Sequence, residues 1–343
     1  MNDQISVLGA GSWGTALAML LHQKGFQVNL WSRDANIAEE IKEQRSNSRY
    51  LPGISIPKEI WATHYLEEAV QKSQLWVLAV PSHAVRKVAS TVRPFLASNT
   101  VIVNTAKGLE DNSHQRMSEI IKHELGGCAN IAVLSGPSHA EEVCRFYPTA
   151  VVVSSENKNC AELVQDVFIF STFRVYINPD LIGVELGGAL KNVIALATGI
   201  ADGLGLGDNA RAALITRGLA EITRLGTVMG ANPLTFSGLT GLGDLIVTCN
   251  SMHSRNRRAG IEIGKGRQLE EVLKKVGMVV EGVKTTRSAW QLARKYGIEM
   301  PITNQVYNLL FEGKDPALGV AELMQRQKKP HELEEVATHL NQL

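Results

Sequence analysis

The first fourteen residues constrain the fold more than any other stretch. Ile5-Ser6-Val7-Leu8 is a short apolar run of strand composition, it breaks at Gly9-Ala10-Gly11-Ser12-Trp13-Gly14, and an Ala- and Leu-rich helical stretch begins at Thr15. Strand, glycine turn and helix in this order form a dinucleotide-binding unit. Each glycine has a task there: Gly9 makes the tight turn, Gly11 lets backbone approach a pyrophosphate, and Gly14 lets helix pack close to strand. The pyrophosphate rests on the amides at the positive end of the new helix. A plain structural turn is the other reading of the same glycines, and the turn alone names no reaction.

With 343 residues, 44% of them hydrophobic and 20% charged, the chain is long enough for two ordinary globular domains. Lys and Arg number 35 against 34 Asp and Glu, so no global field selects nucleic acid or an anionic membrane, and any anion site must be local. Cys128, Cys144, Cys160 and Cys249 form no CxxC pair, which fits reduced thiols in a cytosolic protein. The nine histidines lack ligand spacing, so no metal is expected. The apolar run Ala16 to Leu21 follows Asp3 and the glycine turn and is too short to span a bilayer; the expectation is a cytoplasmic protein that is not membrane-embedded.

Thr15 to Gln23 reads as the first helix, and Val28 to Trp31 as the second strand. An acidic residue directly after that strand would bind the ribose 2′-hydroxyl and repel a 2′-phosphate, yet the chain runs Trp31-Ser32-Arg33 before Asp34. Arg33 suits the phosphate of NADP, so NADPH is favoured over NADH; a solvated arginine at a strand end stays open. Leu75 to Val80, Val101 to Asn104 and Ile131 to Leu134 are apolar runs of the kind buried in a parallel sheet. Thr105-Ala106-Lys107-Gly108 and Ser135-Gly136-Pro137-Ser138-His139 follow the last two, at the carboxyl ends where open α/β sheets bind ligands. Spacing alone also allows Lys107 to be a surface lysine beside a turn. Ala150 to Val153 and Arg174 to Ile177 extend the strand and helix alternation.

At Asn178-Pro179-Asp180 the character changes. Asn178 suits a helix cap, Pro179 a first helical position, and no convincing strand follows Leu181. A dinucleotide-binding domain over 1–178 and an all-helical domain over 179–343 are therefore expected. Ile182 to Ala201 is apolar or small on nearly every face and reads as a buried central helix, with Lys191 in its middle and Asn192 next. Burial disfavours the cationic form and lowers a lysine pKa toward the range of proton exchange, unless the stem snorkels to the surface. Asp208 to Leu225 carries a helical apolar stripe, with Arg211, Arg217, Glu221 and Arg224 read as solvated or locally paired. In Gly238-Leu239-Thr240-Gly241-Leu242-Gly243-Asp244 the glycines imply close backbone contact, while Asp244 either accepts hydrogen bonds from a hydroxyl or caps a helix. Ser254-Arg255-Asn256-Arg257-Arg258 concentrates three arginines where a helix starts, suited to a phosphomonoester, or else is a basic turn. Helices over Thr285 to Tyr296 and Thr303 to Phe311 follow the loop Val279 to Gly282, and Gln325 to Glu335 reads as a mobile charged tail.

Taken together, these motifs resemble the bacterial-type NAD(P)-dependent glycerol-3-phosphate dehydrogenases. The matching stretches are GAGSWGTALA at Gly9, NTAKGL at Asn104, SGPSHA at Ser135, GVELGGALKNVIA at Gly183, DNARAALITRGLAE at Asp208, GLGDL at Gly241, SRNRR at Ser254 and VVEG at Val279. They run in family order from Ile5 to about Gly313. The resemblance implies an α/β N-terminal Rossmann-type doubly wound sheet followed by an all-α C-terminal substrate domain. It also implies hydride exchange between nicotinamide and the pair dihydroxyacetone phosphate and sn-glycerol 3-phosphate, for phospholipid biosynthesis. Lys191 matches the general acid/base. Lys107, Gly136, Ser138, Lys191, Asp244, Ser254, Arg255 and Asn256 match substrate positions. Gly9, Gly11, Ser12, Trp13, Gly14, Arg33, Lys107, Ala140, Arg255, Val279 and Glu281 match cofactor positions.

Two rivals remain at this level: a two-domain dehydrogenase of a hydroxy acid or sugar acid, and a non-catalytic nucleotide-sensing protein that keeps the turn alone. Oligomeric state is not legible, and a homodimer is left open.

Overall fold

A computed structural model describes residues 3–127 and 130–326. The chain forms two compact units, Met1–Lys107 with Gln115–Leu181, and Gly108–His114 with Ile182–Leu343.

The first unit is built on eight strands: β1 (Gln4–Leu8), β2 (Gln27–Trp31), β3 (Trp61–Thr63), β4 (Leu75–Leu78), β5 (Val101–Asn104), β6 (Asn130–Ser135), β7 (Thr149–Ser155) and β8 (Phe173–Ile177). They form one sheet in the order β3-β2-β1-β4-β5-β6-β7-β8. The order reverses direction at β1, the switch point beside which ligands of such sheets bind. Seven helices accompany the strands: α1 (Ser12–Gln23), α2 (Ala35–Gln44), α3 (Leu66–Val70), α4 (Val85–Val92), α5 (Met117–Glu124), α6 (Ala140–Val143) and α7 (Lys158–Phe168). All four residues of β4 and of β5 are buried, as continuous apolar runs require when helices cover both faces.

Strands β1 to β6 are parallel, but β7 pairs antiparallel with β6, and β8 runs parallel to β7. The only helix between β6 and β7 among the described residues is the one-turn α6, which advances about 6 Å at 1.5 Å per residue. The alternating pattern expected from sequence gave no hint of this reversal, nor of the short β3.

The second unit contains α8 (Leu181–Gly203), α9 (Gly207–Val228), α10 (Asp244–Asn250), α11 (Arg255–Gly264), α12 (Leu269–Val276), α13 (Glu281–Tyr296), α14 (Pro301–Phe311) and α15 (Pro316–Met324), with no strand among its described residues. Helix α8 is long and apolar enough to cross a membrane by composition, yet 94% of that window is buried inside the protein. Helices α9, α10, α11 and α13 all contact it. It starts at Leu181, not at Pro179, because Asn178 Oδ1 accepts from the Asp180 amide at 2.9 Å and closes a turn ahead of the helix.

Glycines set the approach of α8 to α11. A Cβ on Gly199 would lie 2.2 Å from the Arg257 carbonyl oxygen, and one on Gly260 would lie 2.3 Å from that of Leu196. The same exclusion holds one turn further on, at Gly203 against Ile261 and Gly264 against Ile200. Only hydrogen fits at such a crossing, so the start of α11 is held at a fixed place beside α8.

Three readings change here. Glu221 and Arg224 are buried rather than solvated, at 1% and 7% exposure. Gly108–His114, from the sheet half of the sequence, packs with the helices: Leu109 sits in their core and Asp111 pairs with Lys284 at 3.5 Å. Helix α13 begins at Glu281, so the loop before it is shorter than expected. Cys144, Cys160 and Cys249 are free and buried, while Cys128 and the tail from residue 327 lie outside the described residues.

Candidate active site

In the sheet unit the glycine turn leaves β1 and enters α1 at Ser12, three residues earlier than the apolar pattern suggested. The Gly9 amide donates to the Trp31 carbonyl at 2.9 Å, tying the turn to the end of β2. Gly9 has φ +126°, and a Cβ there would lie 2.6 Å from the Ala79 carbonyl oxygen. A Cβ on Gly14 would lie 1.8 Å from the Gly9 carbonyl oxygen, so this glycine is required for helix and turn to meet. Gly11 differs: nothing lies within 4 Å of its Cβ position. No side chain caps α1. Open space before Gly11 and an uncapped helix start fit a pyrophosphate, whose oxygens would accept from the first amides of α1.

Two other segments complete this region. Asn47 donates to the Ala10 carbonyl at 2.9 Å and to Thr15 Oγ1 at 3.0 Å, and Ser12 Oγ donates to the Tyr50 carbonyl at 2.6 Å. Trp13, half-buried, packs on the sheet core, and Arg33 is exposed immediately beyond β2. Beyond β5 and β6, Lys107 Nζ donates to the Gly136 carbonyl at 2.8 Å, and Ser138 Oγ donates to the same oxygen at 2.9 Å. Lys107, Gly136 and Ser138 thus form one cluster, and Lys107 is half-buried rather than a loose surface lysine. Ala140 opens α6, which packs on α1.

In the helical unit Lys191 does not snorkel: it is 6% exposed. Its ammonium meets the Asp244 carboxylate and donates to Thr248 Oγ1 at 2.6 Å. Thr248 also donates to the Asp244 carbonyl at 2.6 Å, so one turn of α10 presents both partners. Asp244 is the first residue of α10, not its cap, and its carboxylate is spent on the lysine. Burying an ammonium in this way is tolerable because a charge and a hydroxyl replace its water.

The glycines before Asp244 answer to protein contacts. A Cβ on Gly241 would lie 2.0 Å from the Phe236 carbonyl oxygen, and one on Gly187 of α8 would lie 2.6 Å from that of Thr240. The close approach read from sequence is therefore α8 against the 239–243 turn, which sets Asp244 beside Lys191. Cys249, on the same helix, has its thiol pushed up to about 12 by burial and is inert as a nucleophile.

Helix α11 starts nearby. Ser254 is its N-cap and accepts from the Arg257 amide at 3.2 Å. Arg255 and Asn256 are then its first two helical residues, whose amides head the anion-attracting end. Asn256 donates to Asn192 Oδ1 at 2.9 Å and accepts from the Gly282 amide at 2.9 Å, linking α8, α11 and the start of α13. Val279 and Glu281 flank the cap of α13 in that region. Arg257 is structural: its Nε meets Asp202 at 2.8 Å and its Nη1 the Asn250 carbonyl at 2.7 Å. Arg258 Nε is buried without a hydrogen-bond partner. Sequence reasoning missed Thr248 and the bridging part of Asn192; the one signal for Thr248 was its spacing of four from Asp244 on a helix. No group of three His, Cys, Asp or Glu among the described residues could hold a metal ion.

Family models match both halves, "NAD-dependent glycerol-3-phosphate dehydrogenase N-terminus" over residues 4–161 and the corresponding "C-terminus" over 180–321. The chain is similar to glycerol-3-phosphate dehydrogenase [NAD(P)+] of Pelotomaculum thermopropionicum, 60% identical over 339 residues that cover 98% of this chain and 97% of that one. The protein of the same name from Bacillus subtilis is 54% identical over 343 residues, 99% of each chain. A crystal structure of glycerol-3-phosphate dehydrogenase from Coxiella burnetii superposes with TM-score 0.91 at 43% identity, covering 95% of this chain and 99% of that one.

Proposed function

The chain belongs to the NAD-dependent glycerol-3-phosphate dehydrogenase family, oxidoreductases acting on a CH–OH group with NAD(P), and from that premise we propose how its own residues carry the reaction. Dihydroxyacetone phosphate and sn-glycerol 3-phosphate are interconverted, and bound nicotinamide supplies or accepts the hydride. The single observation that carries the residue assignment is the buried Lys191 ammonium with its Asp244 and Thr248 partners.

In the reducing direction the carbonyl oxygen becomes an alkoxide, and Lys191 donates a proton to it. Asp244 keeps the ammonium in place and favours its recharging from water. Lys107, its ammonium bonded to the Gly136 carbonyl, adds positive potential. The phosphate takes the start of α11, where Ser254, Arg255 and Asn256 offer a hydroxyl, a guanidinium fork and helix amides together. Fixing the phosphate there orients the ketone for reduction. Gly9, Gly11, Ser12, Trp13, Gly14, Arg33 and Ala140 hold the dinucleotide, and by the family pattern Arg255, Val279 and Glu281 also take part in cofactor binding. We favour NADPH over NADH, and supply of phospholipid backbones in the cytoplasm as the setting.

The test is a steady-state assay with dihydroxyacetone phosphate and each cofactor in turn. Turnover that requires the phosphate supports the assignment. Equal turnover of non-phosphorylated ketones or of carboxylate-bearing substrates would overturn it in favour of a hydroxy-acid enzyme.

A further inference from the structure

The far end of the dinucleotide groove holds an ion pair that the reaction does not use. Asp34 follows Arg33, three residues past the end of β2 and close to where a carboxylate ordinarily takes the ribose 2′-hydroxyl and repels a 2′-phosphate. Here that carboxylate is occupied twice: it accepts from the Asn36 amide at 3.1 Å, capping α2, and it faces Arg49 Nη1 at 3.8 Å. Arg49 is not placed by chance. The loop carrying it is pinned to the glycine turn on both sides, by Asn47 to Ala10 and Thr15 and by Ser12 to the Tyr50 carbonyl. Its guanidinium also lies over the Tyr50 ring, 5.3 Å from the centroid, which limits where the fork can point.

We propose that Arg49 is the second arm of a 2′-phosphate site, paired with Arg33, and that it rests on Asp34 until a 2′-phosphate replaces the carboxylate. This rests on the reading that the chain binds NADP. The exchange is downhill for simple reasons. Arg49 and Asp34 are 57% and 41% exposed, and an ion pair so exposed and so long is weak. A dianionic phosphate presents three acceptor oxygens to a planar fork and is the stronger partner. With NADH bound no such partner exists, and Arg49 stays on Asp34.

Dissociation constants of NADPH, NADH and adenosine 2′,5′-bisphosphate, measured by fluorescence quenching or calorimetry without substrate, test this. R49Q is expected to weaken NADPH and the bisphosphate by about tenfold while NADH changes by less than about twofold, the retained NADH binding reporting an intact fold. D34N, which keeps a competent cap, is expected to tighten NADPH relative to NADH. If R33Q discriminates against NADPH and R49Q does not, the 2′-phosphate reading stands and the role of Arg49 falls. Wild-type protein that binds NADH but neither NADPH nor the bisphosphate overturns both.

Discussion

Lys191 and Glu221 are charged side chains sunk in the same helical unit, at 6% and 1% exposure, and they are compensated in opposite ways. Glu221 accepts from the Ile302 amide at 2.6 Å, the Thr303 amide at 3.1 Å and the Thr303 hydroxyl at 2.9 Å. These are the first donors of α14, so α9 caps a distant helix with its carboxylate. Arg224, one turn on, donates to the Glu299 carbonyl at 2.8 Å and ties down the same corner. Lys191 instead meets side chains, a carboxylate and a hydroxyl on α10. A carboxyl stitched to backbone amides is tied to a helix start, so its change of state is read in stability. An ammonium held by side chains can give up a proton and regain it with the backbone unmoved. Burial alone therefore does not separate the two charges; their partners do, and those of Lys191 suit the proposed proton transfer.

Four experiments would break or sharpen that contrast. Asp244→Ala leaves a buried ammonium without its counter-charge, and denaturant unfolding should show a loss of about 3–5 kcal/mol; an unchanged midpoint would mean the pair contributes little to the fold. Lys191→Ala should lower turnover on the order of 10²-fold or more, about 2.7 kcal/mol, with cofactor affinity kept. Near-normal turnover in that variant would remove its proton role.

For Glu221 the expectation concerns stability and not turnover. Burial pushes its carboxyl up to about 7, against the pull of the Ile302 and Thr303 hydrogen bonds and of Arg224. A folded-state pKa raised above the unfolded value means a stabilisation present below about 4.5 and lost as pH rises through about 7. Wild-type stability should then gain roughly 2 kcal/mol from this group between pH 8 and pH 5, and Glu221→Gln should flatten that part of the profile. A profile of equal slope in both proteins would reassign the titration elsewhere. Smallest of the four, Ser254→Ala removes the cap of α11 and should cost about 1 kcal/mol in thermal or chemical unfolding, with KM for the phosphorylated substrate rising more than kcat falls.

The order of strands and helices was legible wherever one stretch decides its own conformation. The glycine turn is the clearest case, since the backbone requirement at Gly9 and the contact at Gly14 involve neighbours in sequence or the adjacent strand. The buried helix around Lys191 was legible from its lack of a polar face. The antiparallel β7 was not, because a strand carries no mark of its direction. Nor could local pattern separate Glu221 from a solvated face, as its partners are about eighty residues away.

What the sequence determined by itself is thus the kit: a dinucleotide turn, a sheet half and a helical half, and one lysine in an apolar helix. Those follow from spacing, glycine and hydrophobic period, all short-range properties. Tertiary structure decided which groups meet: Lys107 with the Gly136 carbonyl, Lys191 with Asp244 and Thr248, Asn256 with Asn192, and Arg49 with Asp34. Partners separated by about fifteen to sixty-five residues are chosen by packing, around α8 by glycine contacts that admit no side chain, and no local pattern records that choice.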